Sequence, residues 1–509
     1  MPSNKDIQTL DAIYKAIEKT EIAIIDNKIV RILQWKIIKV LGEGATATVY
    51  LGQSLIDETM VAIKVFKSEY FSDADLNDSN QKMMRTEAAL VGMINHPNIL
   101  QTYSVGINSD PKYMVMEFVD YGSLEDYINP PKTISLGKLI KIFFQCGCAF
   151  QYSDEIGVIH RDVKPANILL SEGKIPKITD YGSSMVKGMD KDAVSGVGSP
   201  TYMSSEQIRQ EILNQQTDIY SLGATFFELL TGKKIVEADN QKDLIYKILF
   251  VEPPPVSQFI TSQLPEGLEA IVQKCLKKKQ DERYQSWIDY IVDMVKLIYR
   301  ITPKNKYLEK IDEVTAFDWV RKCPAMEIFE DSELWDLIQG GFVYKVGCGM
   351  AFSIAKFVDP DEQSISLKEL DKNELVNADL VSEDNYKSFI EGDNNNLVHT
   401  FVLNGVLQSY GTGGDGRIQI LRSGDYCANI ALIDSFNSNL SAQAFSVEDT
   451  VLINVEESSI RAIHPVVRDK LNSLINKSQQ NQMFTLKQRH TKLEVHSAVK
   501  DASRDMRLL

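Results

Sequence analysis

Four polar residues in two short stretches carry the strongest chemical signal in this sequence. HRDVKPANILL (160–170) sets Asp162, Lys164 and Asn167 at i, i+2 and i+5, and ITDYG (178–182) adds Asp180. Two carboxylates, an amide oxygen and a lysine beside a glycine-containing loop are what phosphoryl transfer with Mg²⁺ requires. Hard oxygens hold the cation, one carboxylate accepts or orients a hydroxyl proton, and the lysine neutralises the moving charge. Each piece alone has a plainer role: Asp162 as a turn residue, Asn167 as a helix cap, Asp180 as a surface acid. The ordered set is what argues for chemistry.

Such a set needs a phosphate cradle upstream. LGEGATATVYLG (41–52) lies between two strand patterns. Its glycines allow a hairpin to approach phosphates closely and offer backbone N–H donors. In VAIK (61–64) the alternation turns Lys64 away from the β-branched Val61, Ile63 and Val65. A lysine drawn out of water needs an anion, either Glu87 of RTEAALVGMINHPNIL or a phosphate.

The positioning elements divide the chain. Residues 35–120 read mostly as strands with one helix near 80–94, and residues 123–301 as mostly helical, so two lobes with a cleft between them are expected. Beyond residue 340 the pattern returns to short strands separated by turn signals at Asn404-Gly405, Gly413–Gly416 and Ser423–Asp425. GTGGDG (411–416) reads as a hairpin tip. Residues 1–33 read as a helical extension, 301–335 as a helical linker, 360–396 as an acidic exposed insertion, and 471–509 as a helical, then polar tail.

Composition narrows the function classes. The 509 residues exceed one core, and 44% hydrophobic with 25% charged residues is the balance of a soluble globular protein. No apolar run is long enough for a bilayer, and the first residues lack a signal-type apolar core. A net charge of −15 argues against nucleic-acid or anionic-membrane binding, which needs a basic face. The six cysteines are scattered, and Cys146 with Cys148 supplies two thiolates where zinc wants four ligands, so buried thiols in a reducing cytosolic protein are expected. Attachment to a cytoskeletal or ciliary structure is compatible with this reading.

Residues 34–300 resemble a eukaryotic protein kinase catalytic domain, which implies an α+β bilobal fold with N-lobe 34–119 and C-lobe 120–300. The resemblance implies a glycine-rich loop at Gly42 and Gly44, with Val49 packing on adenine and Ala62 beside it in the nucleotide site. Lys64 resembles the lysine on the α/β-phosphates and Glu87 its ion-pair partner. Met116 resembles the gatekeeper, with the hinge at Glu117–Val119. Asp162 resembles the catalytic base, Lys164 the γ-phosphate lysine, and Asn167 and Asp180 the Mg²⁺ ligands. Asp218 and Gly223 fit the buried helix of the C-lobe, and Arg283 fits the arginine that pairs with Glu206. ATP and Mg²⁺ are the implied cofactors. Three departures stand out: Ala47 for the third loop glycine, DYG for DFG, and Ser204-Ser205-Glu206 for APE. None removes a group that touches metal or phosphate.

Lys164 two residues after the base, and GSPTYM (198–203) with Ser199 as a hydroxyl contacting base and lysine, resemble serine/threonine kinases. Ala166 stands where basophilic relatives carry a glutamate, which implies no strong arginine preference from that subsite. Arg161 in the family pairs with a phosphorylated activation segment, and Ser195 occupies the expected position.

IFEDSELWDLIQGGFVYKVG, FVLNGVLQSYG and ILRSGDYCANIALI resemble, in order, a cyclic-nucleotide-binding domain, implying a β-roll or jelly-roll-like unit over 336–470 flanked by helices. The pocket chemistry is degenerate. After Gly424 the family's phenylalanine, glycine and glutamate are Cys427, Ala428 and Asn429, and residues 433–450 hold no arginine or lysine. A buried cyclic phosphate without a paired cation would not recover its desolvation, and neutral donors are roughly half as strong as charged ones. The favoured expectation is therefore a serine/threonine kinase acting on proteins, with a C-terminal domain for regulation or docking to a protein partner. The alternatives are a non-catalytic scaffold, and a cyclic-nucleotide-regulated kinase whose missing cation comes from Arg417 or Arg422.

Overall fold

The computed structural model describes residues 22–25, 28–44, 46–68, 77–91, 93–186, 200–260, 263–302, 308–354, 398–410, 418–428, 430–432 and 444–482. Residues 1–21 of the expected helical extension, the acidic insertion, the 411–416 tip, Ser195, Ser199, Arg417 and Asn429 lie outside these residues.

The N-lobe is one antiparallel sheet, in the order β1-β2-β3-β4-β5-β7-β6. Its strands are β1 Ile22–Ile25, β2 Lys28–Ile32, β3 Trp35–Glu43, β4 Ala47–Ser54, β5 Met60–Phe66, β6 Thr102–Gly106 and β7 Tyr113–Glu117. Helix α1 (Asn77–Leu90) follows β5. Val61, Ile63 and Val65 are buried with Val115 and Ile32 on one face of β5, while Lys64 faces the other, as the alternation requires. One expectation is corrected. Ile22–Ile25 and Lys28–Ile32, assigned to a helical extension, are two antiparallel strands added to the sheet edge beside β3, where Ile32 is completely buried in one cluster with Val61 and Ile63.

The C-lobe contains short strands β8 (Val158–Ile159), β9 (Ile168–Ser171), β10 (Ile175–Ile178) and β11 (Met185–Val186). Its helices are α2 (Leu136–Glu155), α3 (Ser205–Ile208), α4 (Gln215–Thr231), α5 (Gln241–Phe250), α6 (Leu268–Cys275) and α7 (Trp287–Ile301). Helix α2 is its axis. Phe143 stacks on Phe226 of α4 at 3.9 Å and Phe150 on Trp287 of α7 at 5.2 Å. Cys146 and Cys148 are buried free thiols here. Gly223 of α4 lets α6 approach closely, since a Cβ there would lie 2.5 Å from the Cys275 Cβ.

Helices α8 (Glu313–Lys322) and α9 (Asp331–Gln339) lead into two five-stranded antiparallel sheets. Their strands are β12 Leu308–Lys310, β13 Gly341–Val346, β14 Ala351–Ile354, β15 Val398–Asn404, β16 Leu407–Tyr410, β17 Ile418–Leu421, β18 Tyr426–Ala428, β19 Ile430–Leu432, β20 Ala444–Ser446 and β21 Thr450–Glu456. The orders are β12-β13-β21-β15-β18 and β17-β16-β20-β14-β19. Within the linker Leu308–Lys310 is thus a strand, β12, where helix was expected. Alternation partitions the apolar residues: Val402 and Leu452 join the C-lobe core cluster, whereas Phe401, Leu403, Val451 and Ile453 pack beneath α8, α9, α10 (Glu457–Ala462) and a last helix, α11, over 465–482. Among the described residues no helix is long and apolar enough to cross a membrane.

Candidate active site

The loop after β8 is fixed from below before it offers any reactive group. The backbone N–H groups of His160 and Arg161 donate to the Asp218 carboxylate at 2.7 and 2.8 Å, and Arg161 takes a positive φ of 67°. His160 Nδ1 accepts the Asp162 N–H at 3.3 Å, so Nε2 carries the proton and donates to the Thr179 carbonyl at 2.9 Å. A burial cost pushes the Asp218 carboxyl upward, offset by those two N–H donors and the nearby imidazole.

On this support three of the predicted residues meet. Lys164 Nζ donates to Asp162 Oδ2 at 2.7 Å, and Asn167 Nδ2 donates to the same oxygen at 3.0 Å and to the Asp162 carbonyl at 2.8 Å. The one-turn 3₁₀ helix Pro165–Asn167 makes this possible by folding Asn167 back over Asp162. Because Asn167 spends its amide nitrogen on Asp162, its carbonyl oxygen is the group left to serve a cation.

Asp180 sits across the cleft in a left-handed conformation (φ 69°, ψ 52°), a backbone strain that concentrates at functional sites. Lys64 Nζ lies 3.5 Å from its Oδ1 and holds the Asp180 carboxyl below the usual range. Glu87 of α1 is buried and accepts a hydrogen bond from the Gly182 N–H. Burial first, then the Asp180 charge, pushes its carboxyl up to about 7. The expected Lys64–Glu87 ion pair is therefore corrected: the lysine's direct contact is Asp180, and Glu87 feels it only at longer range. The reason is positional: Lys64 Nζ reaches Asp180 Oδ1, while the Glu87 carboxylate is turned to the Gly182 N–H.

The DYG tyrosine is accommodated without a polar penalty. Its ring packs edge-on against His160 at 4.7 Å, and its hydroxyl meets Ser153 Oγ of α2 at 2.9 Å. Nothing in the sequence marks Ser153, which belongs to no motif. The Ser-Ser-Glu segment is anchored as well. Ser204 caps α3 through the Gln207 N–H, and Glu206 pairs bidentately with Arg283, both side chains excluded from water. A second pair that the sequence reading missed joins Tyr202 to Glu228 at 2.5 Å, next to the GSPTYM loop.

The nucleotide-side residues share one wall. Register places Val49 opposite Lys64 across β4–β5 and Ala62 opposite Met116 across β5–β7, each partly exposed. A Cβ on Gly42 would meet nothing within 4 Å, so open space lies over this loop where a ligand could approach; on Gly44 the nearest atom is the Ala47 carbonyl at 3.6 Å. At the hinge, which runs on through Val119, Glu117 pairs with Lys177 at 2.6 Å and its N–H donates to the Gln101 carbonyl. Asn167 and Asp180 supply two hard oxygen donors. That is the set expected for Mg²⁺ bound together with phosphates and water, which needs few protein ligands. Arg161 Nε donates to the Ser183 carbonyl at 2.6 Å, at the start of the segment that leads toward Ser195.

In the C-terminal sheets Gly424 is a structural turn. Its φ is +90°, its N–H donates to the Val402 carbonyl, and a Cβ would lie 2.9 Å from Ala325. The chain on either side of Asn429 is committed to ladders, Tyr426–Ala428 with β15 and Ile430–Leu432 with β14. Arg422 is turned onto Asn95, at 2.8 Å from its Oδ1.

The protein kinase domain family matches residues 35–294. Serine/threonine-protein kinase PrkC of Bacillus subtilis (strain 168) is 30% identical over 306 residues, covering 59% of this chain and 45% of the relative. Serine/threonine-protein kinase PknB of Mycolicibacterium smegmatis is 31% identical over 272 residues, covering 52% and 43%. The chain spans less than half the length of these curated relatives. With the family's match extending over half of the chain and enclosing the assembled Asp162, Lys164, Asn167 and Asp180, this chain belongs to the protein kinase family.

Proposed function

We propose that the chain transfers the γ-phosphate of ATP to serine and threonine hydroxyls of proteins, and that its C-terminal β-unit regulates or docks it without binding cyclic nucleotide. The observation that carries the first part is the Asp162 carboxylate, held by Lys164 and Asn167 and facing Asp180 across the cleft. Asp162 receives or orients the proton of the substrate hydroxyl as its oxygen bonds to phosphorus and the bond to the β-phosphate oxygen breaks. Lys164 moves from Asp162 to the transferring group, whose charge it neutralises. Lys64, released from Asp180, holds the α- and β-phosphates. Mg²⁺, held through Asn167 and Asp180, supplies charge neutralisation when bound with the nucleotide.

The substrate reading follows from Ala166, which offers no carboxylate for an upstream arginine. Arg161 is the residue that a phosphorylated Ser195 would engage. The second part takes the two five-stranded C-terminal sheets as a β-roll of the cyclic-nucleotide-binding type. Its expected ligand segment is drawn into ladders, Arg422 is occupied by Asn95, and residues 433–450 hold no cation. Buried free thiols favour a cytoplasmic location.

The test is phosphate transfer from labelled ATP to a generic protein substrate by the parent and by Asp162→Asn, with and without cyclic AMP and cyclic GMP. Loss of a general base lowers turnover by roughly 10²–10⁴-fold. A parent without activity refutes the enzyme reading, and stimulation by either cyclic nucleotide refutes the reading of the β-unit.

A further inference from the structure

The C-terminal β-unit is pinned to the rear of the kinase by polar contacts, all but the Asn95–Arg422 contact buried or half-buried, and they fall on two elements. On α2, Gln145 Nε2 donates to the Val447 carbonyl at 3.0 Å, and the Cys148 carbonyl accepts from Gln408 Nε2 at 3.3 Å. Glu155 accepts the Ile418 N–H at 2.7 Å. Phe144 meets Phe445 edge-on at 6.4 Å between them. On the loop that follows α1, His96 bonds Gln408 Oε1 at 2.9 Å and Asn95 bonds Arg422.

Gln408 is the centre of this clasp. His96 Nδ1 accepts the Asn98 N–H at 3.1 Å, so its Nε2 carries the proton and donates to Gln408 Oε1. The amide of Gln408, completely buried, is thereby oriented to accept from one element and donate to the other. Replacing it by an apolar side chain removes the one amide that bonds both elements, at a place where water does not reach to take over either bond.

The loop so held is the root of α1. Tyr152 of α2 accepts the Asn95 N–H and donates to the Met93 carbonyl; the Leu100 N–H donates to the carbonyl of Ile178 in β10, whose N–H donates to the Asn98 carbonyl. Leu90 and Glu87 lie one and two turns above this root, and Glu87 touches Gly182 beside Asp180. The catalytic groups are assembled in the same state in which the clasp is closed. From these contacts we infer that the β-unit is a built-in positive regulator: through Gln408 it fixes the His96 loop against α2 and so holds Glu87 and Asp180 in their working positions. Gln408 is a positioning residue, and the activity consequence rests on the kinase reading given above.

The test uses the full chain carrying Gln408→Leu, and separately Asn95→Ala, an exposed position whose change removes the shorter, side-chain contact to Arg422 without opening a core. Val467→Ala, in the outer core of the β-unit away from the clasp, is the control. Loss of a buried hydrogen-bonded group is expected to lower kcat about tenfold in Gln408→Leu, with the peptide KM changed less than twofold. Amide hydrogen exchange should accelerate about tenfold in residues 77–91 and 93–100, more weakly in Asn95→Ala, and not in the control. Unchanged exchange in those residues, or acceleration confined to the β-unit, overturns the inference. Faster exchange with undiminished kcat overturns the regulatory role. If the parent transfers no phosphate, the kinase reading fails by itself, and the exchange measurement still decides whether the clasp holds α1.

Discussion

Arg283→Met should be the most destabilising single change in the kinase domain, because of what it leaves behind. Arg283 Nη1 and Nη2 contact Glu206 at 2.5 and 2.9 Å, with side-chain exposures of 0% and 1% for the arginine and the glutamate. The guanidinium also donates to the carbonyls of Lys277, Gln216 and Lys278 at 2.6, 3.0 and 3.0 Å. After the change Glu206 retains neutral donors alone, among them the hydroxyls of Thr217 and Ser205 at 3.1 and 3.3 Å. Breaking a buried pair from one side costs about 3–5 kcal/mol. At the few degrees per kcal/mol typical of a domain this size, that is a fall in Tm of roughly 10 °C. Urea unfolding followed by circular dichroism measures it, with the slope of the transition unchanged. The double variant Glu206→Gln/Arg283→Met should lose markedly less than the sum of the two single changes, since no charge is then stranded. Burial pushes Glu206 up, but the Arg283 hydrogen bonds and charge outweigh it and hold the carboxyl below 4.5. The pair's contribution is thus present above that pH and lost as the pH falls through the lower folded value; Arg283→Met moves this acid limb upward. A single-variant loss below about 1 kcal/mol, or additive single changes, would refute the reasoning.

Glu87 predicts a second pH effect of opposite sign. Its folded carboxyl keeps a proton to about 7 while the unfolded one releases it near 4.5, so folding takes up a proton between these values and stability falls as pH rises across them. Since only ionised Glu87 can support Lys64, kcat/KM for ATP should climb through about pH 7, and Glu87→Gln should lose that limb; a limb unchanged in the variant assigns it to another group. Gly424→Ala combines a φ of +90° with a Cβ 2.9 Å from Ala325, and should cost the β-unit about 1–3 kcal/mol. Hydrogen exchange in residues 418–428 reads this out, and unchanged protection there would mean the turn tolerates a side chain.

The local chemistry of the catalytic loop was legible in the sequence because short segments decide it. Asp162, Lys164 and Asn167 are five residues apart at most, and one 3₁₀ turn brings them together. Lys64 was placed on the correct face of β5 by period-two alternation alone. The Gly424 turn was legible too, since a positive φ favours glycine. Other outcomes depended on partners distant in the chain. Whether Lys64 meets Glu87 or Asp180 is settled by where α1 sets its glutamate against the Gly182 turn, which no local pattern encodes. Ser153 became the partner of the DYG hydroxyl only through the packing of α2. That helix is apolar around its circumference, which its sequence shows without explaining. Tertiary structure supplies the cause: α4 and α7 cover one side and the β-unit covers another, so Phe143 and Phe144 face different domains. Sequence fixes which groups can do chemistry, because bond lengths and backbone periodicity limit their reach. Burial fixes their charge states and partners, because desolvation is a property of everything packed around them.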